Sequence, residues 1–119
     1  MNVDMLYPDQ AVVHGTGVAV ADTTAGQFVY VTADDEYTVQ TNTNGLTAGV
    51  CYTDTLAGAL IPVIVPPAVI NFATIAGGAA AGDEIEIDTD GFPTKLAAGI
   101  ARGVIQSDSD GFVVRLYGI

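Results

Sequence analysis

The chain reads as a pattern of strands and turns written twice, with residues 11–65 a loose copy of residues 68–119. Four collinear stations carry the match. Ala11-Val12-Val13 and Ala68-Val69-Ile70 each open a short apolar run. Ala25-Gly26 followed by Phe28-Val29-Tyr30-Val31 stands against Ala81-Gly82 followed by Glu84-Ile85-Glu86-Ile87. Ala48-Gly49-Val50-Cys51-Tyr52-Thr53-Asp54 matches Arg102-Gly103-Val104-Ile105-Gln106-Ser107-Asp108. Last, Gly58 with Leu60, Ile61 and Val63 falls opposite Gly111 with Val113, Val114 and Leu116. Turn glycines recur in any all-β chain, but here the order is kept throughout. Such a chain is constrained to a scaffold of two similar halves rather than one catalytic constellation.

The length of 119 residues fits one domain able to bury roughly two thirds of its unfolded surface without a metal or disulfide. Charged residues are 14% of the chain and hydrophobic ones 50%, where soluble domains carry about a quarter charged. So few charges leave a lean polar exterior, which predicts that part of the surface is covered by other subunits.

The charge is one-sided: Lys95, Arg102 and Arg115 are the basic residues, and the formal net charge is −11. Affinity for a phosphate backbone comes from clustered Lys and Arg releasing counterions, so the composition argues against nucleic-acid binding and against anionic membranes. Acidity keeps an apolar chain soluble and fits a salty environment. The start, Met1 to Pro8, lacks a basic segment followed by an apolar one, so no secretory signal is expected. The stretch Leu56 to Ile70 is broken by Pro62, Pro66 and Pro67 and is shorter than the roughly 18 residues of a membrane helix. Cys51 stands alone and reads as a small buried hydrophobe, with no His or basic group nearby in sequence to activate it.

Asn44-Gly45, Asp90-Gly91 and Asp110-Gly111 predict tight hairpin turns, because Gly supplies the positive φ that such turns require. Glu84-Ile85-Glu86-Ile87-Asp88 alternates, which puts Ile85 and Ile87 on a buried face and the acids on the other. Leu60 to Val65 and Phe112 to Tyr117 are nearly continuous apolar runs and predict strands covered on both faces. Ala76 to Gly82 and Leu96 to Gly103 are Ala-rich, but their glycines leave at most a short turn of helix. The expectation is an all-β fold, a compact β-barrel or sandwich from two similar halves of about five strands each. Residues 1–10 are read as an extended N-terminal arm and residues 11–119 as a single β domain.

Chemistry is sparse. His14 is the single histidine, which leaves any Ser-His-Asp or Cys-His arrangement without supporting context. Asp88-Thr89-Asp90-Gly91 and Asp108-Ser109-Asp110-Gly111 resemble the start of a calcium loop but lack its far acidic ligand, so they are read as turns. Gly77-Gly78 lacks a following Lys-Ser or Lys-Thr and is no phosphate cradle. No catalytic, metal or cofactor site is expected. Arg115, between apolar residues, is read as paired with one of the many acids.

The pattern Ala81-Gly82-Asp83, an alternating strand, Asp90-Gly91, Gly103-Val104 and a final Asp110-Gly111 leading into Val113-Val114-Arg115-Leu116 resembles the small capsid decoration proteins of tailed phages, also called cement or head-stabilising proteins. Ala25-Gly26 and Gly49-Val50 echo it in the first half. The chain departs from a typical member in its scarcity of Lys and its Pro-rich Pro62 to Pro67 segment. The resemblance implies a β-rich fold on the outer face of an icosahedral head, the major capsid protein as partner, self-association as a homotrimer, no enzymatic activity and no cofactor. Under that reading Met5, Leu6 and Tyr7 in the arm are candidate contacts to a neighbouring subunit or the shell.

Overall fold

The computed structural model describes residues 3–5, 12–14, 17–40 and 47–118, which carry twelve β-strands and no helix. The first half of the chain supplies β2 (Val12–His14), β3 (Val18–Ala19), β4 (Phe28–Ala33), β5 (Glu36–Val39), β6 (Gly49–Cys51) and β7 (Val63–Val65). The second supplies β8 (Ala68–Phe72), β9 (Glu84–Ile87), β10 (Pro93–Lys95), β11 (Gly103–Ser107) and β12 (Phe112–Leu116). Each half makes its own sheet. The first is ordered β2-β7-β6-β4-β5-β3; the second is β8-β12-β11-β9-β10 with β1 (Val3–Met5) added outside β8. Reading β2 with β8, β4 with β9, β5 with β10, β6 with β11 and β7 with β12 makes the two orders the same, apart from β1 and β3 at opposite edges.

The likeness extends to single hydrogen bonds. In the turn before β4, the Gly26 N–H donates to Cys51 O at 2.9 Å and the Gln27 N–H to Thr24 O at 3.1 Å. Before β9 the Gly82 N–H donates to Ile105 O at 2.8 Å and the Asp83 N–H to Ala80 O at 3.0 Å. Each turn is held from a distant strand end by a carboxylate: Ala25 N–H on Asp54 Oδ1 at 2.8 Å, Ala81 N–H on Asp108 Oδ2 at 3.1 Å. Gly26 and Gly82 have φ of 95° and 93°, a region that only glycine adopts without cost, which is why both stations read Ala-Gly.

One station differs from its ladder position. Cys51 pairs with Val63 as Ile105 pairs with Val114, so Val63 corresponds to Val114 rather than Leu116. A shift of two residues keeps every side chain on its face, and an apolar pattern with period two cannot distinguish the two registers.

The sheets meet through Phe28, Val50 and Ile64 of the first and Ile70, Phe72, Ile85, Ile87, Ile105, Val114 and Leu116 of the second. Phe28 and Phe72 stack across the seam with ring centroids 6.3 Å apart. The first sheet also has a buried inner face, made of Ala19, Val29, Cys51, Ile61 and Val63, with Tyr37 against them. This face exists because the sheet curls. The segment entering β7 runs back along β3, with Val18 bridged to Leu60, the Ala19 N–H on Ala59 O at 3.0 Å, and the Ile61 N–H on Gly17 O at 2.9 Å. The fold is therefore a small closed β-layer packed on an open sheet, an all-β architecture of two similar halves.

Several local expectations need correction. Of the two apolar runs, only the one containing β7 is covered on both faces, and within it Leu60 is exposed. In β12, Val114 and Leu116 are buried while Arg115 points outward, so the strand is covered on one side despite its apolar sequence. The Ala-rich segments carry turns and bends without helix, within the expectation of at most a short turn, since their glycines and the missing apolar periodicity leave nothing for a helix to pack. Asp90-Gly91 and Asp110-Gly111 do sit in the β9–β10 and β11–β12 connections, whereas Asn44-Gly45 lies outside the described residues.

Candidate docking site

Among the described residues no group of three or more His, Cys, Asp and Glu side chains is placed to hold a metal ion. The Asp-Gly turns use their acids on backbone: Asp88 Oδ1 accepts from the Asp90 N–H at 2.8 Å and the Phe92 N–H at 2.9 Å. A carboxylate engaged in that way closes the β9–β10 hairpin and has one oxygen left. The same loop ties the sheets together, because Gly91 O accepts from the Phe28 N–H at 2.8 Å and Asp90 O from Gln27 Nε2 at 2.8 Å.

Cys51 is fully buried on β6, and its Sγ donates to Thr53 O at 2.9 Å. Burial pushes the thiol above its ordinary 9.0, the Asp54 charge adds to this, and hydrogen bonds with Thr55 and the Thr53 backbone oppose it. It is therefore protonated at neutral pH and closed to reagents. His14 is on β2, opposite Val63 of β7.

Glu86 departs most from its sequence reading, which placed it with the solvent-facing acids. It is buried, and its Oε2 accepts from the consecutive N–H groups of Ala97, Ala98 (3.2 Å) and Gly99 (3.3 Å). Three amides converging on one oxygen form an anion-binding nest that substitutes for water around the charge. The group shapes the 97–99 loop and is spent on backbone, so it offers no free oxygen pair for acid-base work. Alternation in β9 could not reveal this, since the loop that covers Glu86 comes from 11 to 13 residues downstream.

Among the described residues, Arg115 is partnered by an amide rather than by the expected acid. With the Gln106 side-chain oxygen turned toward it, that oxygen accepts from Arg115 Nη2 at 3.1 Å and Nε at 3.2 Å, across the β11–β12 pair. Near one end of the seam between the sheets, Phe28, Pro66, Ile100, Arg102, Leu116 and Tyr117 line a shallow groove of about 200 Å³. Tyr117 is fixed at its rim by donating to Glu84 Oε2 at 2.8 Å, which also raises the phenol above its ordinary value.

Of the arm residues, Met5 is the last residue of β1 and pairs with Ile70 of β8, while Leu6 and Tyr7 lie outside the described residues. No helix of the structure is long and apolar enough to cross a membrane.

No family model matches the chain, and no curated protein does. Among solved structures it is similar to the N base of the head fiber protein gp8.5 of bacteriophage phi29. The TM-score is 0.64 at 21% identity, covering 91% of this chain and 94% of that chain. At that identity the shared property is the fold, and it spans both sheets.

Proposed function

We propose that the protein is a structural component of a tailed-phage head, carried on the outer face of the shell and free of enzymatic activity and cofactor. The single observation behind this reading is the likeness of nearly the whole chain to a head-fiber base. The decoration-protein pattern around Gly82, Gly91 and Gly111 leads to the same class by a separate route.

In this role each copy bridges neighbouring subunits of the major capsid protein. Because it binds the expanded shell and not its precursor, it stabilises that state by mass action. Modest contacts suffice when repeated over a lattice, and an acidic exterior suits a position outside a DNA-filled shell. A homotrimer matches the three-fold positions such a lattice offers. Met5, Leu6 and Tyr7 are proposed as contacts to a neighbouring subunit or the shell.

Within the class, the fiber-base likeness favours a base module at a subset of shell positions over a cement that coats every subunit. Quantitative mass spectrometry of purified particles decides between them. About one copy per capsid subunit makes the protein a shell-covering cement, and a fixed smaller ratio makes it a base. Absence from particles of its source sinks both.

A further inference from the structure

Among the described residues, the outer face of the closed first sheet is covered over only half its width. Phe28, Val50 and Ile64 lie side by side on β4, β6 and β7 and face the second sheet. Following the ladders round the curl keeps the same face: Tyr30 pairs with Thr38, Glu36 with Val18, and Val18 with Leu60. Residues one step out of phase, Ala19, Tyr37, Ile61 and Val63, fill the inside, so the assignment is consistent around the circuit.

Past β5 no described residue covers this face. Val20 is 51% exposed, Leu60 62% and Leu56 72%. They belong to one ribbon, in which Thr23 is bridged to Thr55, the Gly58 N–H donates to Ala19 O at 2.8 Å, and the Ala59 N–H turns back on Leu56 O at 3.0 Å. Scattered exposed apolar residues are ordinary, but three on a single ribbon face make a contiguous patch. Acids border it: Asp22, whose Oδ1 accepts from the Ala57 N–H at 2.9 Å, and Glu36, with Asp34 and Asp35 in the adjoining turn. Residues 11–65 contain no Lys or Arg, because Lys95, Arg102 and Arg115 all belong to the second half.

We propose that this ribbon face, centred on Val20, Leu56 and Leu60, is a docking surface for a protein whose matching patch is apolar and rimmed by Lys and Arg. Resting on the proposed function, that protein is the shell subunit. Charge complementarity selects this occupant over a second copy of the chain. Two copies meeting through the patch would bring their acids together with no cation between them, whereas a basic rim is attracted and held in register.

The test uses heads of the source phage assembled without this chain, cosedimented with the wild-type protein and with Leu60→Glu, Glu36→Lys and Ser109→Glu. Ser109 is exposed in the β11–β12 turn of the second sheet, outside the ribbon. Leu60→Glu and Glu36→Lys should each weaken head binding at least about tenfold, with thermal melts unchanged, while Ser109→Glu binds as wild type. Undiminished binding of both ribbon variants to heads that take up the wild type overturns the docking face and leaves the virion role standing. A change of oligomeric state in Leu60→Glu, measured by light scattering, with head binding intact reassigns the face to self-assembly and also overturns it. Wild-type protein that binds no heads overturns the virion role first.

Discussion

Gly49 and Gly103 hold matched places on β6 and β11 and face the same obstacle. A Cβ on Gly49 would collide with Ile64 O, and one on Gly103 would come within 2.6 Å of Arg115 O, in both cases the backbone of the neighbouring strand. The obstacle is main chain in a ladder, so the strands must separate to admit a methyl group. Gly49→Ala and Gly103→Ala should each lower the unfolding free energy by about 2 kcal/mol or more, measured by urea titration. A loss of a few tenths would mean the ladders yield easily. Cys51 makes a prediction with a pH sign. Its folded pKa is raised, so the folded state keeps its proton where the unfolded chain has lost it, and the associated stability is present below 9.0 and lost as pH rises beyond it. Wild-type stability should fall more steeply than that of Cys51→Ala above that pH; parallel curves would show that the thiol ionises without opening the sheet.

At the scale of elements, the matched turns before β4 and β9 are each fastened by a carboxylate from the end of the next strand but one, Asp54 and Asp108. Asp54→Ala and Asp108→Ala should cost about 1 kcal/mol apiece, and the double variant close to their sum, because the two turns belong to different sheets. A strongly non-additive result would show that the sheets communicate through these turns. The same elements explain what was legible in the sequence. Ala-Gly and Asp-Gly signals are local, since a positive φ must be written at the residue that adopts it, and they located the turns in both halves. What the sequence withheld is non-local. The ribbon that closes the first sheet is rich in Ala, Thr and Gly, and its pairing joins residues 17–23 to residues 55–61. Glu86 reads as a surface acid until the 97–99 loop folds over it. The nearly continuous apolar run Phe112 to Tyr117 made β12 look buried on both faces, although Phe112, Val114 and Leu116 meet the core on one side while Arg115 is exposed on the other. Val3–Met5 reads as part of an extended arm, and its pairing with the edge of β8 was not legible because three residues carry too little pattern to announce a strand.

For the whole molecule, the dominant fact is a net charge of −11 on a body with a Cα radius of gyration of 13.0 Å. Acids at that density repel one another more in the folded state than in the expanded unfolded chain, so the charge opposes folding. The exposed Lys95–Asp83 pair, with Nζ 3.7 Å from Oδ2, offsets little of this. Salt shortens the range of the repulsion from about 30 Å at 10 mM to a few ångströms near 1 M. Raising NaCl over that range should therefore raise the Tm by several degrees. If the acid-rimmed ribbon docks on a basic surface, the same salt weakens that contact, since there the screened interaction is attractive. Folding and docking are thus expected to respond to NaCl with opposite signs: melts by circular dichroism moving up while cosedimentation with heads declines. A Tm that falls with salt would mean that attractive pairs outweigh the repulsion in the fold. Docking that is indifferent to salt would leave the apolar side chains of the ribbon as its sole source of affinity.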